Sequence, residues 1–453
     1  MNEHDLIIVG TGSGNAIPPH LDNWDIALVE RDVFGGTCLN RGCIPSKMLI
    51  YPADLALHAR ESSRLGIDLE VTGVDWPGIV DRVFGRIDSI AADGERYRME
   101  DCDNVTVYQG SGAFVDHKVL AVDGERLTAD KIVLGAGARP FIPDVPGLAE
   151  SGFHTSDTIM RIRQLPERLV VIGGGYIATE LGHVFDAFGT AVTIVNRGNR
   201  LLRSEDDDVS ARYTDLATGR FDLRLEAMLE RVERSDDATL RIHIIRHGQT
   251  EVLEADELLV ATGRIPNSDE LRVEDTGVGC DPAGRVIVHE DLQTDVPGIY
   301  AFGDLANRFQ LKHVANAEAD IVFHNVAHAD DPRRMDHAAT PHAVFGNPQV
   351  ASVGMTEHDA AAEGVPFVTA TKDYGATAYG WAMEDESSFV KLVANPRTRE
   401  LLGAHIIGPQ ASILLQPLIQ GMRFGQTVDE LAHGQLWIHP ALTEVVENAL
   451  LDL

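Results

Sequence analysis

Cysteine and lysine are the scarce residues of this sequence: four cysteines, and six lysines among 38 basic side chains, in 453 residues. So few cysteines exclude a secreted disulfide scaffold. Long apolar runs are missing too, and none reaches the ~18 residues needed to cross a bilayer. The first residues, MNEHDLIIVGTGSG, enter a strand pattern at once. That leaves no room for a signal peptide and is read as an intracellular, cytoplasmic chain. Positive charge is short as well, with 70 acidic against 38 basic residues and a net charge of −32. Nucleic acid and anionic membranes are thereby excluded as partners. A GC-rich genome explains few lysines but not the acid excess. The excess suits a halophilic protein, because at 1 M salt the screening length falls to ~3 Å and self-repulsion is quenched.

Two of the four cysteines stand together in GGTCLNRGCIPSKML, as Cys38 and Cys43. In a reducing compartment such a pair is catalytic or metal-binding rather than structural. A metal site would want a second pair or nearby histidines, and neither accompanies this one. Cys102 and Cys280 are expected to be buried, inert thiols.

Two segments share one plan. LIIVGTGSGN followed by IALVERD, and LVVIGGGYIATELGHVF followed by AVTIVNRG, each read as strand, glycine turn, helix and second strand, the start of a dinucleotide-binding βαβ unit. The expected fold is α/β, with two such Rossmann-like domains and a C-terminal α+β domain. Boundaries are placed at 1–150, completed by 268–337, for the first nucleotide domain, 151–267 for the second, and 338–453 for a strand-rich last domain.

Gly10, Gly12 and Gly14 form the first phosphate turn, with a helix N-terminus expected to follow it. Asn15 departs from the usual glycine there. Glu30, at the end of the second strand, suits a ribose hydroxyl. The second turn has Gly173, Gly175 and Ala178. Its second strand ends in Asn196 and Arg197, with Arg200 and Arg203 following, instead of an acid. Arginines can neutralise a 2′-phosphate, which favours NADP over NAD; the alternative is that they are solvated loop residues. In WIHPALTEVVEN, His439 and Glu444 make an acid–base pair that thiol chemistry would need.

Together GTGSGN, GGTCLNRGCIPSK, GARP, GGGYIATE, ATGRIPN, AFGD and HPALTE resemble the pyridine nucleotide–disulfide oxidoreductases over essentially the whole chain. The GTGSGN turn, the segment from Asp373 to Asp385 and HPALTEVVENALL are most similar to the mycothione reductases within that class. The resemblance implies a homodimeric, glutathione-reductase-like flavoprotein that uses FAD and NADPH. It implies a Cys38–Cys43 redox disulfide, with Cys43 against the flavin and Cys38 facing the substrate. Lys47 would sit near flavin N5, paired with Glu180, and Tyr176 would gate the nicotinamide. Thr37, Asp304 and the helix start at His313 would contact FAD, and Arg197 and Arg203 the 2′-phosphate. His439, from the partner subunit, would protonate the departing thiol.

Mercuric reductases of this class carry an extra C-terminal cysteine pair, absent from VENALLDL. Dihydrolipoamide dehydrogenases usually have an acid where Asn196 stands and a histidine where Trp437 stands. A small symmetrical thiol disulfide is the expected substrate. The acid excess points to a salt-in organism, as haloarchaea are, and hence to bis-γ-glutamylcystine ahead of mycothione.

Overall fold

The computed structural model describes residues 1–235 and 239–453. The chain divides into two compact units: Met1–Ser46, Gly78–Phe141 and Gly263–Asp336 form the first, and Lys47–Pro77, Ile142–Thr262 and His337–Leu453 the second. Of the expected segment 151–267, residues 151–262 fall in the second unit together with 338–453 and residues 47–77, while 263–267 fall in the first. The helices Cys43–Glu61 and Trp76–Glu100 each run from one unit into the other.

In the first unit, Val105–Gln109, Ile26–Glu30, Asn2–Val9 and Glu125–Leu134 lie side by side as parallel strands, and Ile299–Ala301 pairs beyond them. Two antiparallel strands, Val119–Val122 and Gly112–Asp116, continue the sheet. Strand residues alternate between faces, and here both faces are covered. Leu6 and Ile8 join one core with Leu28, Tyr300 and Phe323. Ile7 and Val9 join another with Val29, Phe114 and Ile132. Burial on both sides explains why LIIV reads as an unbroken apolar run.

The second unit holds a four-stranded parallel sheet in the order Asp222–Leu225, Ala191–Asn196, Arg168–Ile172 and Glu257–Val260. A three-stranded antiparallel sheet, Ala227–Arg234, Leu240–Arg246 and Gln249–Ala255, accompanies it. A five-stranded antiparallel sheet runs from Pro341–Val344 through Val350–Gly354, Leu401–Ile407 and Phe389–Ala394 to Val368–Asp373. One face of that sheet packs Val353, Val390, Leu392, Ala404 and Ile406 into an apolar core with Leu418, Val445 and Val446. The other face carries a cross-strand row of polar residues, His342, Ser352, His405 and Lys391, opposite one another in register. Glu205 and Asp206, just before the helix Asp207–Thr218, close on that row. The α/β architecture with two nucleotide-type parallel sheets and a last α+β sheet agrees with the sequence reading.

One local expectation fails. No α-helix follows the first glycine turn; only two short 3₁₀ turns, Ser13–Asn15 and Pro19–Leu21, precede the strand at Ile26. Pro18 and Pro19 explain this, since a proline ring fixes φ and removes a backbone donor.

Candidate active site

The redox segment is built from interrupted turns. A short helix, Gly36–Arg41, ends at Gly42, and the helix Cys43–Glu61 begins at once. That break brings Cys38 and Cys43 together as a disulfide with a Cα–Cα distance of 4.8 Å. A side chain at Gly42 would sit 2.9 Å from the Thr37 carbonyl oxygen and 3.2 Å from Cys38 Cα, so the closure requires glycine. Buried Asn40 fastens the loop, donating to the carbonyls of Phe34 at 2.8 Å and Gly36 at 3.1 Å. Thr37 and Cys38 are half-buried, and Cys43 is exposed.

Lys47 stands one turn after Cys43. Its ammonium contacts both oxygens of the nearly buried Glu180 at 2.8 Å. Glu180 also accepts from the Phe345 backbone N–H at 2.9 Å, and Lys47 lies 4.7 Å from the Phe345 ring centroid. Three segments thus fix one charge. Phe345 could not be found from spacing, because it lies outside every motif.

At the first glycine turn, Gly36 has φ +66°, and a Cβ on it would meet Gly12 Cα at 2.7 Å. The two backbones touch with no side chain between them, a surface a pyrophosphate can approach. Glu30 is buried and clasps the turn. Its Oε2 accepts from the Thr11 N–H at 2.9 Å and the Thr11 hydroxyl at 2.6 Å, and its Oε1 from the Asp32 N–H at 2.9 Å. Arg98 donates to the Asn15 side chain at 2.8 Å and to its carbonyl at 2.6 Å. With no helix to pack closely, the third glycine is not needed, and Asn15 serves as an acceptor.

Asp304 lies in the turn after Ile299–Ala301, and burial pushes its carboxyl above the usual range against the nearby charge of Arg264. A carboxylate whose burial outweighs its backbone hydrogen bond and the Arg264 charge suits a ligand hydroxyl. His313 is exposed in the first turn of the helix Lys312–Ala327. A bare glycine junction, an acid at the strand end and an under-compensated Asp304 fit FAD.

The second turn does lead into a helix, Tyr176–Ala187, with Gly175 as its N-cap and Ala178 buried. Gly173 starts the turn, and Tyr176 is half-exposed at the first helical position. Asn196 closes the following loop, donating to the carbonyls of Gly198 at 3.1 Å and Arg200 at 2.8 Å. Arg200 pairs with Asp207 at 3.6 Å. Arg197 and Arg203 are exposed and carry no ion pair among the described residues.

Near the C-terminus, Glu444 opens the helix Thr443–Leu451, where an acid is favoured by the helix dipole. Its buried Oε2 has no hydrogen-bond partner and lies 3.2 Å from His439 Nδ1. The His439 side chain is 69% exposed. Leu436 and Ile438 beside it, and Phe424, are exposed too, an apolar surface of the kind that marks an interface. No group of His, Cys, Asp and Glu able to hold a metal occurs among the described residues. No helix among them is long and apolar enough to cross a membrane.

Family comparison agrees with this geometry. Residues 4–319 match the pyridine nucleotide-disulphide oxidoreductase model, and residues 340–450 match the dimerisation domain of the same family. The chain is 48% identical to the mycothione reductase of Mycobacterium tuberculosis H37Rv, aligned over 100% of both proteins. It is 32% identical to a mercuric reductase of Staphylococcus aureus, over 95% of this chain and 79% of that one. Dihydrolipoyl dehydrogenase 2 of Haloarcula marismortui is 32% identical over 98% of this chain and 95% of the relative. The HOCl-induced flavoprotein disulfide reductase RclA of Escherichia coli superposes with a TM-score of 0.85 at 26% identity, covering 98% of this chain and 99% of that one. The chain belongs to the pyridine nucleotide-disulphide oxidoreductases, flavoprotein enzymes that use FAD and NAD(P)H.

Proposed function

We propose that this enzyme is an NADPH-dependent reductase of a small symmetrical thiol disulfide, working as a homodimer, with bis-γ-glutamylcystine as its substrate. The observation that carries the reading is the Cys38–Cys43 disulfide at the head of the helix bearing Lys47. FAD, when bound, supplies two-electron transfer between nicotinamide and that disulfide. The first nucleotide segment, 1–150 with 268–337, would hold it through Gly10, Gly12, Gly14, Glu30, Thr37, Asp304 and the turn at His313. The second, 151–267, would hold NADPH at Gly173, Gly175 and Ala178, with Tyr176 over the nicotinamide and Arg197 and Arg203 on the 2′-phosphate.

The chemistry of the reduced pair follows from thiol–disulfide exchange. Cys38 thiolate attacks one sulfur of the substrate, RS–SR, forming a mixed disulfide and expelling RS⁻. His439, contributed by the 338–453 segment of the other subunit, gives that thiolate a proton. Glu444 holds the opposite ring nitrogen and so sets the tautomer. Cys43 then attacks Cys38 Sγ, releasing the second RS⁻ and restoring the disulfide. Lys47, held by Glu180, keeps a positive charge one turn along the helix from Cys43, which favours the thiolate form.

The net charge of −32 supports a salt-in host and so bis-γ-glutamylcystine. The 48% identity to a mycothione reductase favours mycothione as the second reading. NADPH oxidation against both disulfides and glutathione disulfide, from dilute buffer to molar KCl, decides between them. Bis-γ-glutamylcystine should be reduced fastest and only at molar salt. Full activity in dilute buffer with mycothione preferred would overturn both the salt and the substrate assignments.

A further inference from the structure

Only six lysines occur in the chain, against 70 acids. Lys47, Lys372 and Lys391 are each ion-paired with carboxylates. Lys312 is not. It opens the helix Lys312–Ala327 and reaches back to the first glycine turn, where its ammonium donates to the Ser13 hydroxyl at 2.9 Å. Ser13, between Gly12 and Gly14, donates a hydrogen bond in turn to Asn316 Oδ1 at 2.8 Å. No carboxylate lies within ion-pair distance of Lys312 among the described residues.

An ammonium has three donors, and a hydroxyl satisfies one of them. Burial presses the Lys312 ammonium below its ordinary pKa, with no acid to oppose the shift. A half-buried, uncompensated cation is costly unless an anion joins it. In a chain so rich in carboxylates, a lysine left without one beside a phosphate-type turn is best explained by a ligand that brings the negative charge.

We propose that Lys312 anchors a phosphate oxygen of the dinucleotide at the Gly10–Gly14 turn, with Ser13 orienting its ammonium. This rests on the reading that the turn takes the FAD pyrophosphate. It adds a side-chain cation to what would otherwise be a backbone-only cradle. The carboxylate of a disulfide substrate is the other source of such an anion, and the test separates the two.

Flavin-depleted full-length wild type, Lys312→Met and Lys312→Arg are titrated with FAD and with riboflavin, which has no phosphate, by flavin fluorescence at several KCl concentrations. Lys312→Met should weaken FAD at least tenfold and leave riboflavin unchanged. Lys312→Arg should stay within threefold of wild type. The salt dependence of FAD binding should flatten in the methionine variant. Far-UV circular dichroism confirms folding, and Lys312→Gln replaces any variant that fails it. Equal weakening of FAD and riboflavin, or none, overturns the anchor. A raised KM for the disulfide with flavin affinity unchanged also overturns it, assigning the cation to substrate. A wild type that binds riboflavin but gains nothing from the phosphates of FAD overturns the underlying reading as well.

Discussion

Replacing Lys391 by methionine should be the costliest single substitution in the five-stranded sheet. Its ammonium lies 2.9 Å from Asp206, 2.7 Å from Asp208 and 2.8 Å from Glu357, and its side chain is 3% exposed. The three acids are not equivalent. Asp208 and Glu357 are 64% and 47% exposed, so water screens them and each contributes at most ~1 kcal/mol. Asp206 is 1% exposed, and removing its cation strands a buried charge, at ~3–5 kcal/mol. The expected loss is therefore ~3–5 kcal/mol. Adding Asp206→Asn to Lys391→Met should recover most of it by removing the stranded charge. Burial opposes ionisation of Asp206, but the Lys391 hydrogen bond and the charge of His405 hold its carboxyl below the usual value. A depressed carboxyl stabilises the fold above its unfolded pKa, ~3.9, and the benefit is lost as pH falls through the lower folded value. Without Lys391 the first-named contact that lowers it is lost and the depression shrinks, so the gap between wild type and variant should narrow below pH ~4. Urea unfolding of both proteins at fixed molar KCl and equal concentration reads all three effects. A loss under ~1 kcal/mol, or no recovery in the double variant, would refute the reasoning.

Other outcomes test the catalytic assignments. Arg197→Ala/Arg203→Ala should lower kcat/KM for NADPH tens-fold or more, at ~1.5–3 kcal/mol per lost charge-assisted contact before salt screening. Steady-state kinetics should leave NADH nearly unchanged, and an unaltered NADPH value would make both arginines solvent residues. A heterodimer of Cys38→Ser and His439→Gln subunits, each homodimer inactive, should regain about one working site if His439 acts across subunits. Failure to regain activity points to a site within one chain. Iodoacetamide labelling after NADPH treatment should modify Cys38 and Cys43, which labelling without NADPH leaves untouched, and mass spectrometry reads the difference.

Much of the fold could be read from local pattern. Apolar runs flanked by glycine turns marked the parallel strands, whereas the spacing of Cys38 and Cys43 left catalysis and metal binding open and only the family resemblance implied their pairing. What stayed hidden has physical causes. Pro18 and Pro19 were visible, but the glycine motif implied a helix more strongly than they denied it. Glu205, Asp206, His342 and Lys391 form a buried polar seam, yet each reads as one more surface charge in an acid-rich chain. Their meeting depends on strand register across some 200 residues, which no window captures. Asn40 and Arg98 act on backbone carbonyls and an amide, contacts that leave no spacing signature. Lys312 stood one residue before the helix start singled out for flavin contact, and only its reach to Ser13 in the glycine turn, with no acid beside it among the described residues, gives it meaning.

The Glu180 carboxylate is shared by Lys47 and the Phe345 backbone N–H. That sharing constrains descent as well as chemistry. A lineage losing Glu180 first would strand a lysine and an amide at once; one losing Lys47 first would strand a nearly buried acid. Either intermediate leaves a polar group without its partner, so in folding stability the two positions are expected to change together or stay fixed. A mutational library built on this chain and read for folding should show the same sign-dependent coupling, with double replacements folding where single ones do not. Phe345 adds a third member whose side chain is freer to vary, because its backbone supplies the hydrogen bond whatever residue other than proline stands there.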